Sequence, residues 1–176
     1  MDELLARLRQ HIADQPNRCF FRPAASLAAI AGAEAAIGMP LPSDYKRFLA
    51  SFDGGFISIC GQPGDEYWDE AAARWNSNSF SGVEQLVAEF KDLQLIWKVD
   101  LHWEGAWPYI PFCNTNGQER LVFGARAEAG EWPVLDAFHE VGPEEWRELY
   151  PSFAALLSAY LAGDGQMNTI AGLPNP

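Results

Sequence analysis

The sequence predicts an α+β fold: a single domain with a mainly antiparallel β-sheet flanked by N-terminal and C-terminal helices. Three observations carry this expectation. Apolar stripes at helical spacing fill the first fifty residues and return at 153–161, strand-like runs cluster from 107 to 141, and an Asn-Gly turn separates two of those runs. With 176 residues, 48% apolar and 13% aromatic, the chain can bury a substantial core without staples and is not composed like a disordered segment. The domain is expected to span 1–163, with 164–176 as a loose tail.

The elements follow in order. Leu4, Leu5, Leu8 and Ile12 share one face of a helix over 2–13. "QPNRCFFRP" breaks it with two prolines. Ser26 can cap a second helix that carries Ile30, Glu34 and Ile37, with Gly38 as its left-handed C-cap and Pro40 barring continuation. Pro42 and Ser43 then set up a third helix, Ser43 as its N-cap. Tyr45, Phe48, Leu49 and Phe52 form its apolar stripe, and Lys46 and Arg47 point outward. Gly54 or Gly55 supplies the positive φ that turns the chain into a strand, "FISIC", residues 56–60.

A long polar and aromatic loop comes next, "GQPGDEYWDEAAARWNSNSF". Ser81 and Glu84 make a capping box ahead of a helix with Val83, Leu86, Val87 and Phe90. "LQLIWKVD" reads equally as a strand or as the end of that helix. "WPYIPFC" and "ERLVFGA" flank the hairpin loop "NTNGQ", and "WPVLDAFHEV" is a third strand. Glu144 and Glu145 beside Pro143 open a helical segment. Ser152 caps the last helix, which buries Phe153, Leu156, Leu157, Tyr160 and Leu161 and ends at Gly163.

Charge and cysteine content narrow the function classes. The net charge is −12 and uneven: residues 51–73 hold five acids and no base, and residues 128–176 hold eight acids and one base. Such a field repels nucleic acid and anionic lipid and attracts a basic partner. Cys19, Cys60 and Cys113 are scattered and odd in number, which fits a reduced, cytoplasmic protein with no disulfide. No apolar run reaches membrane-spanning length, and the mixed-charge start lacks a signal-peptide layout.

Catalytic patterns fail on their own chemistry. His102 and Glu104 precede Pro111 and Cys113, but a zinc deaminase needs adjacent Pro-Cys and a second cysteine to complete its metal shell. No histidine is paired by spacing with a cysteine nucleophile; Cys60 and Cys113 sit in apolar strand patterns that favour small buried side chains. No phosphate-binding glycine motif follows a strand. Neither a cofactor nor a structural metal is expected. "DEYWDE" (Asp65, Glu66, Tyr67, Trp68, Asp69 and Glu70) is the one cluster with two readings. Its acids could serve a carbohydrate-active enzyme, or an acidic rim around two aromatic anchors could dock a protein.

"IAGAEAAIGMPLPSDYKRFLASFDGG" resembles the signature of the SUKH superfamily, in particular its Smi/Knr group. The matching positions are Ile30, Glu34, Ile37, Gly38, Leu41, Pro42, Tyr45, Phe48, Leu49, Gly54 and Gly55, with Asp53 where asparagine is usual. "YIPFCNTNGQERLVF" is similar to a second landmark, with Gln118 where an aspartate commonly stands, and "SFAALLSAYL" to the closing helix. The resemblance implies an α+β fold and a protein that works by binding, without a catalytic set. It implies an immunity protein that neutralises a cognate bacterial toxin, often a nuclease, by direct contact. The alternative is an intracellular regulatory or scaffold protein of the same fold. Tyr45, Phe48, Gly54 and Gly55 are then fold-defining. Charge and aromatic content make Asp65–Glu70 the expected partner-binding segment, facing a basic toxin domain, with the acids between Glu140 and Glu148 as the rival surface. The sequence is silent on oligomeric state.

Overall fold

The structure, a computed structural model, describes residues 1–100, 107–117, 119–125 and 132–167. Six helices are present among these residues: α1 (Asp2–Asp14), α2 (Leu27–Ile37), α3 (Ser43–Leu49), α4 (Glu70–Trp75), α5 (Val83–Asp100) and α6 (Phe153–Ala162). They surround one sheet of seven strands: β1 (Cys19–Phe21), β2 (Gly55–Ile57), β3 (Ser79–Phe80), β4 (Ile110–Asn114), β5 (Arg120–Phe123), β6 (Val134–Ala137) and β7 (Arg147–Tyr150). Every neighbouring pair is antiparallel and the spatial order is the chain order, β1 to β7. The α+β class with a mainly antiparallel sheet in one domain is therefore what forms.

The register lays two rows of side chains across this sheet, because cross-strand partners share a face. One row runs Phe20, Phe56, Ser79, Asn114, Arg120 and Ala137. The opposite row runs Phe21, Gly55, Phe80, Cys113, Leu121 and Asp136. Helices α3 and α6 cover the second row. Phe48 meets Phe80 at 5.4 Å and Phe21 at 6.5 Å, and Tyr160 meets Phe80 at 4.8 Å, all edge-to-face. Tyr45 sits among Phe48, Phe112, Phe123 and Phe153 with centroids 5.0–5.8 Å away. Its buried hydroxyl donates to the Ser81 carbonyl at 2.5 Å, so the ring is packed and its polar tip satisfied. The Tyr160 hydroxyl accepts from the Ile57 amide at 2.7 Å and donates to the Asn78 carbonyl at 3.2 Å.

The punctuation of the N-terminal half works largely as the residues dictate. Ser26 accepts from the Ala29 amide, and Gly38 closes α2 with φ +78°. The Glu34 carboxylate accepts from the Leu41 amide at 2.8 Å and pairs with Lys46 at 3.0 Å, tying the end of α2 to α3. Burial opposes the charge on Glu34, but those two partners outweigh it and hold the carboxyl below its ordinary range. Ser43 is not the N-cap: it is the first residue of α3 and Pro42 takes the cap position. Both Gly54 (φ +75°) and Gly55 (φ +143°) adopt positive φ.

Elsewhere local pattern and outcome part. Within "RCFFR", Cys19–Phe21 is a strand, because pairing with β2 recruits it. "FISIC" forms strand only to Ile57; Ser58 turns away, its hydroxyl donating to the Gly61 carbonyl, and Cys60 is exposed rather than buried. The long segment that follows is not all loop, since it contains α4 and β3. "LQLIWKVD" completes α5, which buries Leu86, Phe90, Leu93 and Trp97 at helical spacing. The Ser81–Glu84 capping box does not form, because the Ser81 hydroxyl donates instead to Glu89 at 2.7 Å. A single 3-10 turn, Pro143–Glu145, stands where a helical segment is expected, and β7 follows it at once. Ser152 does cap α6, accepting from the Ala155 amide. At the C-terminal end Asp164 bonds Arg18 at 2.7 Å, the Gly165 carbonyl accepts from the Asn78 side chain, and Met167 is buried. Residues 168–176 of the expected tail, His102, Glu104 and Gln118 lie outside the described residues.

Candidate functional site

The first sheet row is roofed unevenly, and the site arises from that. Trp68 stacks on Phe20 at 5.4 Å, and Phe20 stacks on Phe56 at 4.9 Å. The Arg74 guanidinium lies 4.9 Å from the Phe56 ring centroid, a cation–π contact that burial strengthens. The segment from Gly61 to Trp75 therefore folds down over β1 and β2. At the other end, α5 covers the row near Arg120 and Ala137, where Leu93, Ile96 and Trp97 line a small recess with them. Between α4 and α5 the cover is incomplete, leaving a cleft of about 830 Å³ with Ser79, Asn114 and Arg120 as its floor.

The six residues of "DEYWDE" hold unlike positions on this roof. Asp65 accepts from the Gln62 amide at 2.9 Å, closing a tight turn between Gly61 and Gly64, both at positive φ. Asp69 is the N-cap of α4, accepting from the Ala72 amide at 2.8 Å. Trp68 is half-buried in its stack on Phe20. Glu70 stands 3.8 Å from Arg74, one helical turn away. Glu66 and Tyr67 form the exposed tip. Tyr67 is 92% exposed with φ +66°, and a hydrogen bond with Glu66 raises its phenol above the ordinary range. The structure thus brings Asp69 and Glu70 to the wall of the cleft and leaves Asp65 and Trp68 to hold the loop in shape.

The residue at the heart of the cleft is Glu89, which the sequence reading did not single out. Its Oε1 accepts from Asn114 at 2.6 Å and from Gln85 at 2.9 Å, and its Oε2 accepts from Ser81 at 2.7 Å. All three donors are neutral, and among the described residues no cation lies within ion-pair distance of it. The carboxylate is immobilised without being neutralised. Asp69, Glu70 and Asp92 line the same cleft, against Arg74 and Arg120, and the indole of Trp75 stands 61% exposed on its rim. A signal for this was present: Gln85, Glu89 and Asp92 recur at i, i+4 and i+7, a polar stripe beside the buried one. What could not be read was that Asn114 and Ser79 lie opposite.

Chemically, the arrangement sets four carboxylates, Asp69, Glu70, Glu89 and Asp92, against the two guanidiniums of Arg74 and Arg120. Asp65 and Asp69, two of the acids that a hydrolytic reading would use, are engaged with backbone amides. Among the described residues no three His, Cys, Asp or Glu side chains are grouped to hold a metal ion. Burial pushes the Cys113 thiol well above its ordinary range and the Cys19 thiol up to about 11, so neither is a thiolate at neutral pH. Among the described residues no helix is long and apolar enough to cross a membrane.

No curated protein matches the chain. A family model does, over residues 24–159, which contain α2, the Asp53-Gly54-Gly55 turn, the whole cleft and most of α6. With the helix–proline–helix–glycine signature in place around Tyr45 and Phe48, and a match over most of its length, the chain belongs to the SMI1 / KNR4 family (SUKH-1).

Proposed function

We propose that this protein is a non-catalytic binding domain that acts as an immunity protein, neutralising a cognate bacterial toxin in the cytoplasm by direct contact. The observation that carries the proposal is the acidic cleft between α4 and α5, whose wall residues Asp69 and Glu70 continue into the exposed Glu66–Tyr67 tip. A nuclease toxin presents a basic surface to its substrate. An acidic, net −12 partner is steered to such a surface and excludes other acidic proteins from the same encounter. The same field disfavours nucleic acid and anionic membrane as partners. Family membership supports a binding role, since the resemblance carries immunity and regulatory proteins and no shared catalytic set.

The test is to express the chain together with candidate toxin domains, beginning with any encoded beside its gene. Rescue of growth, together with co-elution of the two proteins on gel filtration, is the expected result. A toxin that stays fully active and elutes separately would overturn the immunity role. Capture of a product of neighbouring biosynthetic genes would move the protein to the regulatory reading.

A further inference from the structure

The polar stripe of α5 does not stop at the cleft. Gln85, Glu89 and Asp92 continue at the same spacing into Ile96 and Val99, which are 45% and 59% exposed. This line is rotated by roughly 100° from the buried stripe Leu86, Phe90, Leu93 and Trp97, one residue further along at each step. Arg120 lines both the large cleft and the smaller recess under Ile96, so the two hollows adjoin across one floor residue. The surface is therefore graded: a fixed carboxylate and an exposed indole at one end, and at the other a recess in which Leu93, Ile96, Trp97 and Ala137 stand beside Glu119, Arg120 and His139.

Resting on the binding role above, we infer that this graded groove takes an extended segment of the partner, with an arginine or lysine at Glu89 and an apolar side chain at Ile96. Charge complementarity selects the occupant. Four carboxylates line the large cleft against two guanidiniums, and Arg74 is already engaged with Glu70, Phe56 and Ser79. Glu89 is held by three neutral donors, so its geometry is preset and it offers charge to an incoming cation without rearrangement. Trp75 on the rim adds an aromatic face for the same cation. Spacing sets the sequence of the occupant. Ile96 lies seven helical steps beyond Glu89, about 10 Å at 1.5 Å per residue, which about three residues of extended chain span. The preferred segment is a cation, two small residues and an apolar residue.

The probe is the peptide Ac-Gly-Arg-Ser-Ser-Leu-Gly-NH2, titrated into the full isotope-labelled chain by NMR, beside a peptide with neutral citrulline for its arginine. Shifts should centre on the Trp75 indole N–H, the Glu89 amide and the Ile96 methyls. Citrulline, or the variant Glu89→Gln that keeps the side-chain shape, should weaken binding about fivefold or more. Trp75→Ala, at an exposed position, should weaken it about threefold. Equal binding of the two peptides, shifts remote from the cleft, or no binding of either overturns the groove. The co-expressed toxin separates this from the function itself. A toxin bound equally well by Glu89→Gln and Trp75→Ala would remove the groove and keep the immunity role. Peptide binding with no bound toxin would keep the groove and remove that role.

Discussion

The Asp53 carboxylate accepts the backbone N–H of Val83 at 2.8 Å, across thirty residues of sequence. It thereby caps α5 from outside the helix, a duty that the local Ser81–Glu84 pattern does not perform. The turn that carries Asp53 is held in place by its own amide, which donates to the Arg22 and Pro23 carbonyls, and by Arg22 Nε donating to the Asp53 carbonyl at 2.6 Å. One short turn thus joins the approach to β2 with the start of the helix that walls the cleft. Asp53→Ala should cost about 1–2 kcal/mol, as for other lost caps, while Asp53→Asn should stay near wild type because its amide oxygen can still accept. Urea denaturation of the two variants checks this.

Gly54 and Gly55 are closed to any side chain. A Cβ on Gly54 would lie 2.5 Å from the Gly82 nitrogen, and one on Gly55 would lie 2.5 Å from the Phe20 carbonyl oxygen. Both obstacles are backbone, so neither can swing aside, and positive φ adds strain. Either glycine changed to alanine should lose more than about 3 kcal/mol. A wild-type melting temperature for both variants would show that this turn does not organise the fold.

Tyr45 and Phe48 are fully buried and anchor the ring cluster under the sheet. Phe48→Ala or Tyr45→Ala should destabilise by about 3–5 kcal/mol through lost packing and the cavity left behind. For Tyr45 the donor to the Ser81 carbonyl is lost as well. Thermal melts measure both.

Asp136 makes stability fall with rising pH over a defined window. Burial first, and the nearby Glu119 second, raise its carboxyl from 3.8 to about 6, with Arg147 opposing. Below 3.8 both folded and unfolded chains hold the proton, and there is no penalty. Between 3.8 and about 6 the unfolded chain releases it while the folded chain retains it, so folding weakens as pH rises; above about 6 the penalty is complete. Asp136→Asn should remove this component. Its stability gain over wild type, read by urea denaturation, should grow from about pH 4 to about pH 6 and then level off. A gain independent of pH would place the ionisation elsewhere.

Charge on the Glu66–Glu70 surface should govern how fast a basic partner arrives. Reversing all four acids of 65–70 would also remove the Asp65 turn bond and the Asp69 cap, and Trp68→Ala would unstack Phe20. Glu70→Lys would set a second cation against Arg74, so the clean variant is Glu66→Lys alone. It should slow association with the captured toxin at low salt and flatten the dependence of that rate on ionic strength, with little change in melting temperature. An unchanged rate would place the docking surface elsewhere.

Sequence alone determined those features whose causes lie within a few residues. Ser26 and Gly38 bound α2, Ser152 starts α6, and the stripe of Tyr45, Phe48 and Leu49 faces the core, because caps, positive φ and helical periodicity act over one or two turns. The glycine pair at 54–55 was legible for the same reason. Tertiary structure decided the rest. β1, β3 and β7 are two to four residues long and have no periodicity to read; they are strands because a neighbour offers its hydrogen bonds. "LQLIWKVD" became helix because α5 buries Leu93 and Trp97 against the domain. The acids of 65–70 were visible as charge, but which of them hold backbone and which face solvent depends on the amides beside them. The cleft was the least legible of all. Its floor joins Ser79, Asn114 and Arg120 only through strand register, and Glu89 reaches Ser81 and Asn114 only when α5 lies across that row. Such a site is made by pairing between distant segments, which no local pattern encodes.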